Sequence, residues 1–166
     1  MKPAVIALII CAIAGALEGA AAGSGVKKRL ASLRVPRWAL PCGAWVVVGG
    51  IYYILCFAVL FRLLRLPSSH LQATALAMTV ALMSANAAFN FVFFRRGNLY
   101  ASFLFYFPYS ALAVGLFLLL LRVDRIASTI FGPYLLYFVY ATAWGYQVWQ
   151  LNRKVSSDSH PVRPAA

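Results

Sequence analysis

The stretch LQATALAMTVALMSANAAFNFVFF, residues 71–94, decides the fold, because it is long and carries no charged side chain. About 20 apolar residues in an α-helix span a bilayer core, and this run is long enough to do so. Two carboxamides, Asn86 and Asn90, interrupt it. At 3.6 residues per turn both fall on one stripe with Phe93, and Phe89 lies at the edge of that stripe. The stretch therefore predicts a transmembrane helix with one polar face flanked by aromatic rings.

Four more apolar runs accompany this one, at residues 3–23, 43–61, 99–121 and 126–151. The 166-residue chain is 63% hydrophobic with a mean hydropathy of +0.81, whereas soluble domains are about half apolar. We predict an all-α integral membrane protein: one five-transmembrane-helix bundle over residues 1–152 and a disordered polar tail over 153–166. The first run exceeds the roughly 7–15 apolar residues of a signal peptide, so we expect it to be retained.

The connections between the runs constrain the topology. The third and fourth are only RRG (95–97) and RVDR (122–125), so the last three spans are predicted to be antiparallel neighbours. The first, SGVKKRLASLRVPRWALPC (24–42), is long enough to fold over one mouth of the bundle.

The net charge of +12 lies almost wholly in these connections and in the tail. Of 15 Lys and Arg residues, ten lie on the side of the first loop, the third loop and the tail, and five lie on the other side. The positive-inside rule places the long loop and the C-terminus in the cytoplasm, and we expect a bacterial membrane. The cations face lipid headgroups, and no soluble basic domain is left to bind nucleic acid.

Polar and small residues within the spans leave alternatives open. Asn86 and Asn90 either hydrogen-bond a neighbouring helix or line a cavity and offer an amide to a ligand. Glu18, the only acid in a span, marks a functional site or is protonated or arginine-paired near the membrane surface. A glycine ridge in the first span allows close approach of a helix, either from a second copy in a homodimer or from the same bundle. Its members are Gly15, Gly19 and Gly23.

The last span has an aromatic face that packs against a helix or leaves a notch for a flat ligand. Its residues are Tyr134, Tyr137, Ala141, Trp144 and Val148. The chain holds few residues suited to catalysis or metal binding. Its three acids, three cysteines and two histidines lack catalytic or metal-ligand spacing. We therefore predict no catalytic residue, no metal site and no required cofactor, and we do not expect an enzyme.

The motifs of three spans resemble those of a known family. The segment PYLLYFVYATAWGYQVWQLN, residues 133–152, is similar to the last helix of the TspO/MBR family, which includes bacterial tryptophan-rich sensory proteins and the mitochondrial translocator protein, or peripheral-type benzodiazepine receptor. Asn86, Phe89 and Phe93 stand where that family has N-x-x-W-x-x-x-F-F. Leu33, Pro36, Trp38 and Pro41 stand where it has L-x-K-P-x-W-x-P-P. The resemblance covers roughly residues 10–152.

The sequence departs from the family at several of its characteristic positions. Gly49 and Phe89 replace tryptophans, and Asn90 replaces the first residue of a proline pair. A leucine–asparagine pair of the last helix is here Trp144 and Gly145.

The resemblance implies a bundle with a pocket between the helices, closed on one side by the first loop. It implies an aromatic site for tetrapyrroles of the porphyrin or haem type, or for similar planar hydrophobes, with a sensory or transport role. Light-dependent porphyrin degradation, or a lipid or sterol ligand, are the alternatives. The pocket residues that carry over are Trp38, Asn86, Phe89, Phe93, Tyr137, Ala141 and Trp144.

Within this pocket we expect Asn86 to be the asparagine that touches a ligand. Asn90 either adds an amide to the pocket or hydrogen-bonds across to the fourth or fifth span. Arg34 or Arg37 is placed to pair with ligand propionates at the mouth, unless these arginines serve only membrane topology.

Overall fold

The computed structural model describes residues 2–158, which form six α-helices, one π-helical segment and no strands. The helices are α1 (Pro3–Ala22), α2 (Val26–Ser32), α3 (Cys42–Leu63), α4 (His70–Asn90), α5 (Leu99–Val123) and α6 (Arg125–Asp158). The π-helical segment Phe91–Arg95 continues α4. All the helices except α2 are long and apolar enough to cross a membrane, and the predicted five-span bundle is confirmed.

The helix bounds differ from the predicted runs mainly at the last span. The sequence predicted an end at residue 151, but α6 continues to Asp158, so residues 153–158 are helical and not part of an irregular tail. The predicted disorder of 159–166 lies outside the described residues. The first loop, which we expected to fold over one mouth of the bundle, contains the short helix α2.

Local polar chemistry sets several helix ends. Ser69 Oγ accepts a hydrogen bond from Gln72 N at 3.1 Å at the start of α4. Asn98 Oδ1 accepts one from Ala101 N at 2.9 Å at the start of α5. These caps satisfy backbone donors that the first helical turn leaves free. At the other end of α1, Gly23 adopts φ 73°, a left-handed conformation that favours glycine.

The five spans form a closed ring in the order α1, α3, α6, α5, α4, because each packs against the next and α4 returns to α1. The antiparallel pairs α4–α5 and α5–α6 are those that the short loops predicted. At the end of the bundle away from α2, a large apolar cluster fills the ring, and its fully buried members include Leu60, Leu82 and Leu116. At the end near α2, the walls of the ring separate around a cavity.

The glycine ridge of α1 serves the bundle itself at one position. A Cβ on Gly15 would lie 3.6 Å from the Tyr53 ring of α3, an ordinary contact, whereas one on Gly19 would meet nothing within 4 Å. The Tyr53 side chain therefore packs against α1 at Gly15, where the helix surface carries no side chain. A homodimer through this helix stays a prediction.

Candidate ligand cavity

A cavity of about 670 Å³ lies between the spans at the end of the bundle that α2 covers. All five spans line it, and all of them except α1 supply aromatic rings. The rings that line it include Trp45, Tyr52, Phe89, Phe93, Tyr106 and Trp144. The volume lies within the roughly 300–1,000 Å³ of sites for small organic ligands.

Five of the seven pocket residues suggested by the family resemblance line this cavity. They are Asn86, Phe89, Phe93, Tyr137 and Trp144. The other two do not line it. Trp38 is 44% exposed and contacts Tyr140 edge-on, with ring centroids 5.4 Å apart, while Ala141 is buried in the packed core. The structure therefore brings most of the predicted set together, and their binding of a ligand stays a prediction.

The aromatic wall is continuous across the helices. Trp45 of α3 and Trp144 of α6 have ring centroids 4.8 Å apart, and Trp144 lies 5.6 Å from Phe93. Phe93 then stacks on Phe89 at 5.8 Å with an interplanar angle of 16°. The π-helical turn carries Phe93, and such turns occur frequently at functional sites.

Sequence reasoning missed Trp45, although a signal was present. The family has a tryptophan where this chain has Gly49, and Trp45 precedes Gly49 by four residues. Residues four apart lie on the same face of a helix, and both of these line the cavity. The chain therefore carries this tryptophan one helical turn before the position where the family has one.

The amides of Asn86 and Asn90 belong to a hydrogen-bonded polar cluster. Tyr53 Oη donates to Glu18 Oε2 at 2.7 Å, and Asn86 Nδ2 donates to the same oxygen at 2.8 Å. Asn90 Nδ2 donates to Glu18 Oε1 at 3.1 Å and to Asn86 O at 2.9 Å. Glu18, Tyr53, Asn86 and Asn90 all line the cavity. We call these four residues the Glu18 cluster.

The cluster bears on the alternatives that the sequence left open. Both asparagines bond a neighbouring helix and also line the cavity, and contact of either amide with a ligand stays a prediction. Of the two alternatives for Asn90, the hydrogen bond to the fourth or fifth span is wrong, because its partner Glu18 is on α1, while its amide does line the cavity. Among the residues whose side chains the structure describes, Glu18 has no arginine or lysine partner, so the arginine-paired alternative is wrong too.

Two buried polar atoms in the cavity wall have no hydrogen-bond partner within the part of the chain that the structure describes. They are Tyr52 Oη and Trp144 Nε1. Tyr52 is 6% exposed and Trp144 is 4% exposed, so protein surrounds both side chains. A buried donor without a partner costs free energy of about 1–3 kcal/mol. Both atoms are therefore unsatisfied donors inside the wall of the cavity.

The first loop folds over the mouth of the cavity, as its length predicted. Lys27 and Leu30 of α2 line the cavity. The loop is fastened by hydrogen bonds that join it to residues distant in sequence. Arg29 Nη2 donates to Gly97 O at 2.7 Å, and Asn152 Nδ2 donates to Arg34 O at 2.9 Å. Arg34 and Arg37, which we expected at the mouth, do not line the cavity. The basic residue of the first loop that lines it is Lys27.

Replacing Asn86 with leucine is expected to lower the free energy of unfolding by about 1 kcal/mol. The change removes a donor to Glu18 Oε2, and side-chain hydrogen bonds in membranes are worth about 0.6 kcal/mol on average, more when the acceptor is charged. Denaturation of detergent-solubilised protein by SDS, followed by circular dichroism, measures it. Ser84→Ala is the matched control, since exposed Ser84 bonds only Val80 O on its own helix. Equal stabilities of the two variants would contradict a structural role for the cluster.

No metal site is evident in the region described, which holds no group of three or more His, Cys, Asp or Glu side chains close enough to share an ion. The two cysteines whose side chains are described, Cys11 and Cys56, are buried and unpaired by a disulfide. The cavity therefore offers aromatic rings, amides, hydroxyls and one carboxylate rather than a metal-binding set.

Fold and cavity together define a class: a multi-pass integral membrane protein of five helices with an aromatic cavity between them. The profile of the TspO/MBR family matches residues 7–150, which is most of the chain. The protein belongs to the TspO/MBR family, and the resemblance found in the sequence is confirmed. A comparison with curated proteins gave no match.

Proposed function

We propose that the cavity binds a planar, mostly apolar ring molecule, and that tetrapyrroles of the porphyrin and haem type are its first candidates. The observation that carries the proposal is the continuous wall formed by Trp45, Trp144, Phe93 and Phe89. Aromatic side chains stack on the faces and pack on the edges of flat rings, at about 0.5–1.5 kcal/mol per pair beyond simple burial. The cavity volume of about 670 Å³ suits a ligand larger than a single aromatic ring.

Polar groups around this wall support the same ligand class. Trp144 Nε1 and Tyr52 Oη are unsatisfied donors in this wall, and a shift of their side chains would bring them to acceptor atoms on the ring periphery. Lys27, on the helix that covers the mouth, provides a cation for a propionate. A ring that is apolar on its faces and polar at its edge matches this distribution of groups.

The proposed role is ligand sensing or transport in a bacterial membrane. The cavity mouth lies with the first loop, on the side that the positive-inside rule places in the cytoplasm. Flux of protoporphyrin into proteoliposomes separates the two roles, since a transporter moves the ligand and a sensor only binds it. A sterol that displaces porphyrin from the purified protein would favour the lipid-type ligand instead.

Replacing Trp45 with alanine is expected to weaken protoporphyrin binding about tenfold. The change removes the ring that contacts Trp144 and opens the wall, and a tenfold loss corresponds to about 1.4 kcal/mol. Titration of the porphyrin absorption band with protein in uncharged detergent measures the dissociation constant. The band belongs to the ligand, so the loss of a tryptophan does not change the signal.

Trp149→Ala is the matched control, because Trp149 packs on Tyr100 and Phe103 and does not line the cavity. We expect it to bind with the affinity of the unmodified protein. Equal weakening of porphyrin binding by both substitutions would show that the porphyrin binds outside this cavity. An absence of porphyrin binding by the unmodified protein would refute the proposed ligand.

A further inference from the structure

The charge of the Glu18 cluster points to a ligand property that the aromatic wall does not specify. All three partners of Glu18 donate to it: the Tyr53 hydroxyl and the Asn90 amide hold one oxygen each, and the Asn86 amide shares the oxygen of Tyr53. An ionised carboxylate only accepts hydrogen bonds and offers about four acceptor positions. Three are filled here, so one is left for a donor from outside the cluster.

The partners of Glu18 are neutral, so the cluster lacks a positive charge. The other fully placed acid, Asp124, has Arg62 as its ion-pair partner, while Glu18 has no cation within 4.0 Å among the residues described. Lys27, the other charged residue that lines the cavity, belongs to α2 at the mouth and forms no ion pair with Glu18. A carboxylate away from water is expensive unless it is paired, and neutral hydrogen bonds compensate only part of that cost.

The aromatic walls favour the same charge as the carboxylate. Phe89 and Trp45 line the cavity together with Glu18, and the faces of aromatic rings carry negative electrostatic potential. A cation over such a face gains about 0.5–2 kcal/mol, and more where water is excluded. A positively charged ligand group is therefore attracted both by the ring faces and by the carboxylate.

We propose that Glu18 is the specificity-determining residue of the cavity and selects ring ligands that carry a protonated nitrogen. Its free acceptor position pairs with the N–H of that group, while Tyr53, Asn86 and Asn90 hold the carboxylate in place. A ligand that carries only carboxylates places them at Lys27 and leaves Glu18 without a counter-charge. This inference rests on the proposed function, since it assigns the polarity of the ligand in the same cavity.

Three porphyrins with one ring system test the proposal. They are protoporphyrin, its neutral dimethyl ester and its diamide with ethylenediamine, which carries two primary ammonium groups at pH 7. Band titration in uncharged detergent gives the three dissociation constants. We expect the diamine to bind at least tenfold more tightly than the ester, and Glu18→Gln to reduce this ratio to about one. The preference is expected to persist in 0.5 M NaCl, because a pair inside a cavity is poorly screened.

Trp149→Ala is the control variant, since Trp149 packs on Tyr100 and Phe103 and does not line the cavity. It is expected to retain the preference for the diamine. A ratio near one in the unmodified protein overturns the charge selection, and so does an unchanged ratio in Glu18→Gln. If none of the three rings binds, the proposed function fails with it; if all three bind without a charge preference, only the role of Glu18 is refuted.

Discussion

Gly145→Ala is expected to destabilise the protein by about 1–3 kcal/mol, because α6 has no room for a methyl group at this position. A Cβ there would collide with the Tyr106 ring of α5, whose Cζ lies 3.1 Å and whose Oη lies 3.2 Å from the site. Tyr106 is buried and cannot swing away freely, since Phe89 and Phe138 pack on it at 5.1 and 5.8 Å. Overpacking of this kind forces side chains off their preferred rotamers.

Gly50→Ala on α3 is the control. Its added Cβ would meet nothing within 4 Å. Alanine favours a helix over glycine by about 1 kcal/mol, so this variant is expected to equal or exceed the unmodified protein in thermal stability. Thermal unfolding of both variants in detergent measures the difference. A Gly145→Ala protein as stable as Gly50→Ala would show that Tyr106 moves without cost.

The same collision is expected to reach the cavity. Tyr106 lines it and contacts Phe89, so a displaced ring narrows the space beside the aromatic wall. Gly145→Ala should therefore weaken protoporphyrin binding as well as stability. Truncating the obstacle in the double variant Gly145→Ala/Tyr106→Leu is expected to cost less than the sum of the two single changes, the mark of coupled neighbours.

Asp124→Ala is the second change with a large expected effect, about 2–4 kcal/mol of unfolding free energy. Asp124 Oδ2 accepts from Arg62 Nε at 2.8 Å and Oδ1 from Arg62 Nη2 at 3.1 Å, which joins the end of α3 to the start of α6. Oδ1 also accepts from Ile126 N and Ala127 N, at 2.9 and 3.2 Å. Removing one partner of a buried pair costs about 3–5 kcal/mol, and the 34% exposure of Arg62 reduces this.

SDS denaturation of the Asp124→Ala protein measures the loss, with Arg122→Ala as the control. Arg122 is exposed, and we expect less than 0.5 kcal/mol from its removal, as for surface substitutions in general. Asp124→Asn is expected to fall between the two, because it keeps an acceptor for the first turn of α6 but loses the charge. An Asp124→Ala protein no less stable than Arg122→Ala would mean that water replaces the ion pair fully.

Acid should weaken the same contact. Burial alone acts to raise the pKa of Asp124, but the hydrogen bonds and charge of Arg62 and the two backbone N–H groups outweigh it and lower the pKa below its usual value. A carboxyl whose pKa is lower in the folded state stabilises the fold above its unfolded pKa, about 3.9, and loses that contribution as pH falls through the folded pKa. The contribution of Asp124 to stability is therefore expected to be complete above about pH 5, to decrease as the pH falls below about 4, and to vanish only below the lowered pKa of the folded state.

The sequence anticipated the membrane fold well because its signals are local. Span length and the absence of charge are properties of single segments, and five such segments appear both in the sequence and in the structure. The same holds for Asn86, Asn90 and Phe93, since helical periodicity places them on one face regardless of what lies opposite. The error at the end of α6 has a local cause as well: apolar character ends before the helix does.

The partners across the bundle were not predictable in this way. Glu18 and Asn86 are 68 positions apart, and Leu40 N donates to Tyr140 Oη across 100 positions. Periodicity gives the direction in which a side chain points along its own helix, but not which helix stands there. Neighbour order in the ring depends on how five apolar cylinders pack together, and apolar surface is nearly the same on all of them.

By itself, the sequence determined the membrane-spanning architecture, the family and four of the aromatic residues that line the cavity: Phe89, Phe93, Tyr137 and Trp144. Only the tertiary structure placed Glu18 against both asparagines, added Trp45 to the wall, and excluded Trp38 and Ala141 from it. The physical reason is that hydrophobic burial acts on each helix separately, whereas a hydrogen bond needs two particular atoms about 3 Å apart. Such a pair of atoms forms only when the helices have packed in a particular order.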